Sequence, residues 1–228
     1  MAYRAVIFDL FGTLIPSFGV NDYDRIISRM ASAAGCPLKS FQTEWHGSFK
    51  ASILGQYPSL SDRLIQIVRK LGLPVIESKI EEAARIFYDY HLSTLLPRPE
   101  AVEVLQNIKK RGLKTGLITD CSPETPAEWS KTSLAGYFDA AVFSCLEGIK
   151  KPDPRIYQIA IDRLEVLAGD CLYVGDGSSR ELSGAEAAGL KAVQLFIPEE
   201  RHSDVFRVDL EHWEGRTINS LSQVVRLL

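Results

Sequence analysis

Four short stretches of the 228-residue sequence place a charged or hydroxyl side chain next to an apolar run. Asp9 ends the first run, Thr119 the second and Asp176 the last, while Lys151 precedes a proline between the second and the last. A carboxylate can act as a nucleophile or bind a hard cation, and a lysine with a hydroxyl can hold an anion. Together these residue types predict a site for a small anionic substrate and one divalent cation such as Mg²⁺.

Neighbouring residues shape this predicted site. Gly12 permits a tight turn after Asp9, and Thr13 can brace that turn with its hydroxyl. Glu181 follows Asp176 by five residues and supplies a third carboxylate. The predicted site therefore combines a carboxylate, a hydroxyl and an ammonium with an acidic pair.

Short apolar runs alternate with amphipathic helical patterns over most of the chain. Runs without strict polar alternation are typical of strands buried on both faces of a parallel sheet, and their alternation with helices predicts a doubly wound, Rossmann-like α/β core. Because parallel strands end at one edge, Asp9, Thr119 and Asp176 should meet there. The predicted strands cover residues 4–8, 114–118, 140–143, 171–174 and 191–196, and the predicted helices cover 99–111, 124–134, 154–166, 179–188 and a last one from about 219.

The segment between the first two strands has a different pattern, because nothing in residues 17–95 resembles a strand. Proline-rich joints, Pro16 on one side and residues 97–99 on the other, suit stiff hinges. We therefore expect two domains, a core formed by residues 1–16 and 96–228 and a helical domain formed by residues 17–95. Its predicted helices cover 21–34, 40–53, 60–71 and 77–94, starting near Asn21, Ser40, Ser59 and Glu77.

Charge and composition limit the kinds of molecule that the protein is expected to bind. The net charge of −3 argues against nucleic acid, whose binding domains usually carry a basic excess. No apolar stretch approaches the ~18 residues needed to span a membrane, and Asp9 interrupts the first run before a signal peptide could form. The four cysteines contain no Cys-x-x-Cys pair, so we expect free thiols and no zinc. We expect a cytoplasmic monomer or homodimer that binds a small molecule.

In order, spacing and placement, the four stretches resemble the haloacid dehalogenase superfamily of hydrolases. The resemblance covers nearly the whole chain, and the helical insertion is similar to the cap that closes over the active site in that superfamily. It implies that Asp9 is a nucleophile that forms a covalent aspartyl intermediate. Thr119 would hydrogen-bond the transferred group. Lys151 would hold Asp9 and the substrate anion, and Lys150, one residue earlier, is less consistent with the Lys-Pro pairing of the superfamily.

The resemblance also implies Mg²⁺ as the cofactor and a small phosphorylated metabolite as the substrate. Asp9, Asp176 and the backbone carbonyl of Phe11 would bind the metal, with Glu181 as a direct or water-mediated ligand. The alternative interpretation of Glu181 is an ordinary acid in the first turn of a helix. The residues implied around the substrate are Phe11, Gly12, Thr119, Asp120 and Lys151.

Phe11 departs from the superfamily pattern. Phosphatases of the superfamily usually have Asp-x-Asp-Gly-Thr here, and the second Asp protonates the leaving oxygen and then activates water. A phenyl ring cannot exchange a proton, and loss of such a group typically costs ~10²–10⁴ in rate. Phosphate esters with poor leaving groups are therefore disfavoured, whereas activated substrates such as acyl phosphates would suffer less.

Three alternatives stay open. Haloacid dehalogenases of the superfamily also have an aromatic residue at this position. However, they lack a metal and carry serine where this chain has Gly175-Asp176. They also use an arginine in the early cap, and residues 36–50 of this chain contain no arginine. Cleavage of a carbon–phosphorus bond through a cap lysine would need Lys50, whose position is more typical of a solvated helix face. A non-catalytic phosphometabolite-binding protein would not need all four chemically active side chains.

Overall fold

The structure, a computed structural model, describes residues 3–16, 20–200 and 209–228. Its strands form one parallel sheet, and the five predicted strands are confirmed. The pattern does not predict the sixth strand, because two residues are too short to carry a periodicity. The strands are β1 (Ala5–Phe8), β2 (Lys114–Thr119), β3 (Ala140–Phe143), β4 (Cys171–Gly175), β5 (Lys191–Leu195) and β6 (Thr217–Ile218), in the spatial order β3-β2-β1-β4-β5-β6.

Helices surround this sheet, which confirms the Rossmann-like α/β fold class. The α-helices are α1 (Val20–Ala34), α2 (Leu38–Gly47), α3 (Phe49–Ile53), α4 (Leu60–Lys70), α5 (Glu77–Thr94), α6 (Ala101–Lys110), α7 (Glu124–Trp129), α8 (Ser144–Glu147), α9 (Pro154–Leu164) and α10 (Glu181–Ala187). The final helix predicted from about 219 is present, as a short 3₁₀ helix over Leu221–Arg226. The predicted helix 124–134 ends earlier, at Trp129.

The prediction of one continuous helix over 40–53 is wrong, because the chain breaks at Ser48 into α2 and α3. The Ser48 hydroxyl donates to the carbonyl of Trp45 at 3.0 Å and accepts from Nε of Arg63 at 2.9 Å. Gly47 immediately before it lowers the helix propensity further. At the break, the Ser48 hydroxyl therefore links the end of α2, the start of α3 and the first turn of α4.

Strand β1 lies at the centre of the sheet, and Ile7 pairs with Gly116 of β2 and with Tyr173 of β4. All four side chains of β1 are buried, as expected for a strand covered on both faces. Asp9 extends the ladder by donating its backbone N–H to the carbonyl of Val174 at 2.9 Å. The carboxyl ends of β1, β2 and β4 thus lie side by side, where the sequence predicts the site.

Alternate residues of β1 enter two separate apolar clusters. Val6 and Phe8 pack on the face covered by α6, and Ala5 and Ile7 pack on the face covered by α9 and α10. The sheet is therefore the middle of three layers, and it holds the loops at its carboxyl edge in fixed positions.

Helices α1–α5 form a helical insert, residues 20–94, with an apolar cluster of its own. Trp45 lies at its centre, with its ring centroid 6.1 Å from Phe41 and 5.1 Å from Phe87. Ser59 caps α4 as predicted, since its hydroxyl accepts the N–H of Asp62 at 3.1 Å. The separate apolar cluster supports a division into two domains. This division stays a prediction.

Arg98 fixes the point where the chain returns from the helical insert to the sheet. Its guanidinium donates to the carbonyls of Thr13 at 2.7 Å and Gly12 at 3.1 Å, and it forms two hydrogen bonds with the carboxylate of Glu200. The residue between the two hinge prolines therefore binds the loop that follows β1.

The cysteines are free thiols, as expected, and Cys121, Cys145 and Cys171 are buried. Among the described helices, none is long and apolar enough to cross a membrane.

Candidate active site

Asp9 lies just beyond the end of β1 and is 4% exposed. One carboxylate oxygen, Oδ1, accepts from Nζ of Lys151 at 2.6 Å, and the other, Oδ2, accepts from the Thr13 hydroxyl at 3.0 Å. The turn that brings Thr13 back is closed by the Gly12 N–H, which donates to the carbonyl of Ile15 at 2.8 Å. Thr13 thus braces the loop as predicted, and the carboxylate is held in one orientation.

Lys151 reaches Asp9 from the loop before α9 and is only 2% exposed. Its Nζ also donates to Oε2 of Glu181 at 2.5 Å, and its backbone N–H donates to Oδ1 of Asp120 at 3.0 Å. Burial alone would lower the pKa of Lys151, but Asp9 and Glu181 outweigh burial and raise it. Lys151 is therefore a fixed cation, and Lys150 instead donates to the carbonyl of Lys151 at 2.8 Å.

Glu181 is fully buried at the start of α10, and both of its oxygens accept hydrogen bonds. Besides Lys151, the Tyr173 hydroxyl donates to Oε2 at 2.8 Å and the Gly177 N–H donates to Oε1 at 3.0 Å. Burial and the charge of Asp9 raise the pKa of Glu181. These contacts place Glu181 behind Lys151, where it orients the ammonium.

Asp176 follows β4 and faces the loop that contains Gly12. Its carboxylate accepts the N–H of Ser178 at 2.8 Å and the hydroxyl of Ser178 at 3.2 Å. Gly12 has a φ of +83°, and a Cβ atom there would lie 2.3 Å from Oδ2 of Asp176. Only glycine therefore lets the two loops approach so closely.

Asp9, Asp176 and Glu181 form a group that could hold a metal ion, because they offer carboxylate oxygens within 4.8 Å of one another. Burial raises the pKa of Asp9 to about 6, the charge of Asp176 adds to that effect, and Lys151 opposes it. Three carboxylates beside one ammonium leave an excess of negative charge away from water. A hard divalent cation would neutralise it, so the donor set fits Mg²⁺.

Thr119 ends β2 at the same edge, and it is fully buried. Its hydroxyl oxygen has no hydrogen-bond partner within the described part of the chain. Buried hydroxyls normally have a partner, so an unpaired one at this edge is suited to a ligand. Asp120 next to it lines the neighbouring cavity, whereas Thr119 does not.

A cavity of about 270 Å³ lies between this edge and the helical insert. It is slightly smaller than the roughly 300–1,000 Å³ of typical ligand pockets, so it suits a small molecule. Asp9, Asp120 and Lys151 line it from the core. The insert lines it mainly with apolar and aromatic side chains, among them Tyr23, Phe49, Ile53, Phe87 and Tyr90.

Phe11 lines the cavity two residues after Asp9, with its ring centroid 6.3 Å from that of His91 of α5. Nε2 of His91 lies 3.2 Å from the hydroxyl of Thr125 in α7. Burial lowers the pKa of His91 to about 4, although the charge of Glu128 opposes this. A neutral imidazole therefore joins the insert to the core beside Phe11.

The sequence reasoning misses three residues around this site: Arg63, His91 and Arg98. Arg63 follows Leu60 by three residues and His91 follows Phe87 by four, so both lie on apolar helix faces, which is a usable signal for burial. No sequence signal shows that these faces also border the cavity. The orientation of Lys50 is likewise not predictable; it is exposed and lines the cavity.

A parallel α/β core that brings an aspartate, a lysine and an acidic pair to one edge is typical of hydrolases that use a carboxylate as nucleophile. The chain belongs to the haloacid dehalogenase-like hydrolases, whose family profile matches residues 3–189. The predicted family and the prediction of an enzyme are thereby confirmed.

Similar proteins include both phosphatases and dehalogenases. The chain is 27% identical over 197 residues to the glyceraldehyde 3-phosphate phosphatase of Methanopyrus kandleri, covering 84% of this chain and 83% of that protein. It is 27% identical to (S)-2-haloacid dehalogenase 4A of Burkholderia cepacia, covering 84% and 82%. The structure of a 2-haloacid dehalogenase from Pseudomonas syringae pv. Tomato DC3000 has a TM-score of 0.73 at 22% identity, covering 100% of this chain and 98% of that one. The fold alone therefore does not distinguish a phosphatase from a dehalogenase.

We expect Gly12→Ala to weaken binding of a divalent cation at the acidic group roughly 10- to 100-fold, as is usual when groups around metal ligands are displaced. The added Cβ would push the carboxylate of Asp176 away, and the positive φ would be strained. Titration calorimetry measures the change. Gly136→Ala is the matched control, since nothing lies within 4 Å of a Cβ there. Equal affinities in the two variants would contradict the role given to Gly12.

We expect His91 to make the fold sensitive to acid. Above pH 6.5 the residue is neutral in both states and contributes nothing. As the pH falls, the unfolded chain takes up a proton that the folded protein resists until about pH 4. The free energy of unfolding should therefore drop by about 2 kcal/mol between pH 7 and pH 5 on this account.

Urea denaturation of His91→Gln at the two pH values tests this expectation, because glutamine does not titrate. The variant should lose about 2 kcal/mol less than wild type on acidification. His46→Gln, at an exposed position, serves as the control and should retain the wild-type loss. An equal loss in His91→Gln and wild type would refute the assignment.

Proposed function

We propose that this protein is an Mg²⁺-dependent phosphatase that acts on a small phosphorylated metabolite through an aspartyl-phosphate intermediate. The observation that carries the proposal is the group of Asp9, Asp176 and Glu181, two of which, Asp9 and Glu181, also pair with the Lys151 ammonium. Displacement of halide needs no metal, so it gives no reason for an acidic group of this size beside the nucleophile. The similarity to glyceraldehyde 3-phosphate phosphatases is consistent with it.

Asp9, Asp176 and the carbonyl oxygen of Phe11 would hold the cation, with Glu181 in support. Bound Mg²⁺ would supply positive charge to the oxygens of the transferring phosphoryl group. Because both oxygens of Glu181 already accept hydrogen bonds, its support is best assigned to orienting Lys151 or to a bridging water.

In the first step, a carboxylate oxygen of Asp9 attacks phosphorus, and the bond from phosphorus to the leaving oxygen breaks. Lys151 keeps Asp9 aligned and binds a phosphoryl oxygen, and the free hydroxyl of Thr119 donates to another. In the second step, water hydrolyses the acyl phosphate and restores Asp9. Asp9 must be ionised to attack, and the ammonium of Lys151 favours that form.

The helical insert is proposed to act as the cap that shields this chemistry from water. Two hydrogen bonds connect the insert to the core. The Ser144 hydroxyl donates to the carbonyl of Ile53 at 2.7 Å, and the Thr125 hydroxyl lies 3.2 Å from Nε2 of His91. A cavity whose surface is mostly apolar strengthens the interaction between the fixed charges and the substrate.

Dehalogenation of a 2-haloacid is the second candidate, and Phe11 is the observation that favours it. The similarity to a haloacid dehalogenase of comparable coverage supports the same candidate. Gly175 and Asp176 oppose it, because they add a carboxylate where the departing halide needs none. Carbon–phosphorus cleavage is less supported, since Lys50 lines the cavity but is exposed. A protein that only binds its ligand would not need the oriented carboxylate of Asp9.

We expect Asp9→Asn to lower Mg²⁺-dependent phosphate release from aryl and acyl phosphates by at least about 1,000-fold, because the amide is a poor nucleophile. Asp162→Asn, at an exposed position on α9, should retain wild-type rates. Release of phosphate is measured with and without Mg²⁺, and release of halide is measured from 2-haloacids. Metal-independent halide release with no phosphate release would select the dehalogenase instead.

We expect Phe11→Asp to raise kcat for alkyl phosphates by tenfold or more, toward the ~10²–10⁴ typical of a general acid. The gain should be small for aryl phosphates, whose leaving group departs without a proton. Phe11→Asn is the matched control, because it removes the same ring contacts but cannot donate a proton at neutral pH. Equal kcat values for the two variants on alkyl phosphates would show that proton transfer does not limit the reaction.

A further inference from the structure

Arg63 is a cation buried in the wall of the cavity opposite the strand ends. It belongs to the first turn of α4, is only 2% exposed and lines the same cavity as Asp9. An arginine at this depth normally has a carboxylate or phosphate partner, because an unpaired buried charge is costly.

Two of its hydrogen-bonding nitrogens have structural acceptors. Nε donates to the Ser48 hydroxyl at 2.9 Å, Nη2 donates to the carbonyl of Trp45 at 2.6 Å, and the guanidinium carbon lies 3.7 Å from the centroid of the Trp45 ring. These contacts hold the guanidinium plane in place. No acceptor for Nη1 is found within the described residues, so one edge of a rigid cation is available to a ligand.

Among the described residues, the buried carboxylate of Glu124 acts on the charge of Arg63 but does not pair with it directly. None of the carboxylates in the described ranges forms an ion pair with it. Burial lowers the pKa of Arg63, and the charges of Tyr23 and Glu124 partly oppose this. A ligand carboxylate at Nη1 would supply the missing partner.

The cavity between Arg63 and the strand ends is walled by rings and aliphatic groups. Phe11 lies beside the nucleophile, and Phe49, Ile53 and Phe87 continue the wall on the insert. Such walls offer few partners to the hydroxyls of a sugar phosphate, which would lose hydrogen bonds to water without replacement. They suit a flat or aliphatic body instead.

Resting on the proposed phosphatase function, we infer that the substrate is a phosphate ester of a compact apolar body, most simply an aromatic ring, that carries a carboxylate at its far end for Arg63. The phosphate would bind at Lys151 and the cation site, the ring between the aromatic walls, and the carboxylate at Nη1. Arg63 is then the residue that selects the substrate by charge.

A matched pair of aryl phosphates tests this inference. 4-Carboxyphenyl phosphate and 4-carbamoylphenyl phosphate have the same size and differ in the charge at the far end. The amide-bearing phenol is the better leaving group, so intrinsic reactivity favours the amide. We expect wild type to prefer the carboxylate by roughly 10- to 100-fold in kcat/KM, mainly through KM, as for one charge-assisted hydrogen bond.

Arg63→Met should reduce this preference to about one, and Arg63→Lys should restore part of it. The ratio is internal to each variant, so loss of the structural bonds to Trp45 and Ser48 affects both substrates together. Arg69→Met, at an exposed position on the same helix, should keep the wild-type ratio. A preference that survives in Arg63→Met would show that another cation, such as Lys50, binds the carboxylate.

The outcomes separate the inference from the function on which it rests. Equal hydrolysis of both esters by wild type would leave a phosphatase and overturn the proposed substrate class. If neither ester is hydrolysed with Mg²⁺, the phosphatase proposal fails. The affinity for 4-hydroxybenzoate, measured by calorimetry, then tests whether Arg63 binds a carboxylate. Binding at least tenfold weaker in Arg63→Met than in Arg69→Met would support the carboxylate site, and equal binding would overturn it.

Discussion

The rest of the site depends on the buried ammonium of Lys151, which lies between the carboxylates of Asp9 and Glu181 at 2.6 and 2.5 Å. Without this charge the two acids would face each other away from water, and at least one would take up a proton. The lysine must therefore be positioned as firmly as the acids. The N–H of Lys151 donates to Asp120, so the loop after β2 holds the loop before α9 in register with Asp9.

Space is the second constraint on this arrangement. A Cβ atom on Gly175 would lie 2.2 Å from Oε1 of Glu181, and one on Gly12 would lie 2.3 Å from Oδ2 of Asp176. Each glycine thus makes room for the carboxylate of another loop. The acids reach one another only because the residues between them have no side chain, which links turn geometry directly to the charge density of the site.

The sequence predicts the parts of the molecule that follow from local pattern and from the geometry of parallel sheets. Asp9, Thr119 and Asp176 come at the ends of apolar runs, and parallel strands must bring such ends together. It fails where position depends on packing between helices. Arg63 and His91 occupy apolar helix faces, and whether such a face borders a cavity depends on how α4 and α5 meet the core. The two-residue strand β6 is missed for a simpler reason, since it has no pattern to detect.

Phe11 connects the polar and apolar halves of the cavity. At the position where a carboxyl group would protonate the leaving oxygen, this chain has a ring that contacts His91 and continues the aromatic wall toward Asp9. Compared with the usual pattern of the family, Phe11 replaces a proton donor and adds an apolar surface to the cavity that Asp9 lines. Without a proton donor, the leaving group must depart as an anion. Next to an apolar surface, it must also be apolar enough to prefer that surface to water. Phenolates and carboxylates attached to rings satisfy both conditions, whereas alkoxides of sugars satisfy neither, so the chemistry at Phe11 and the shape of the cavity point to the same kind of substrate.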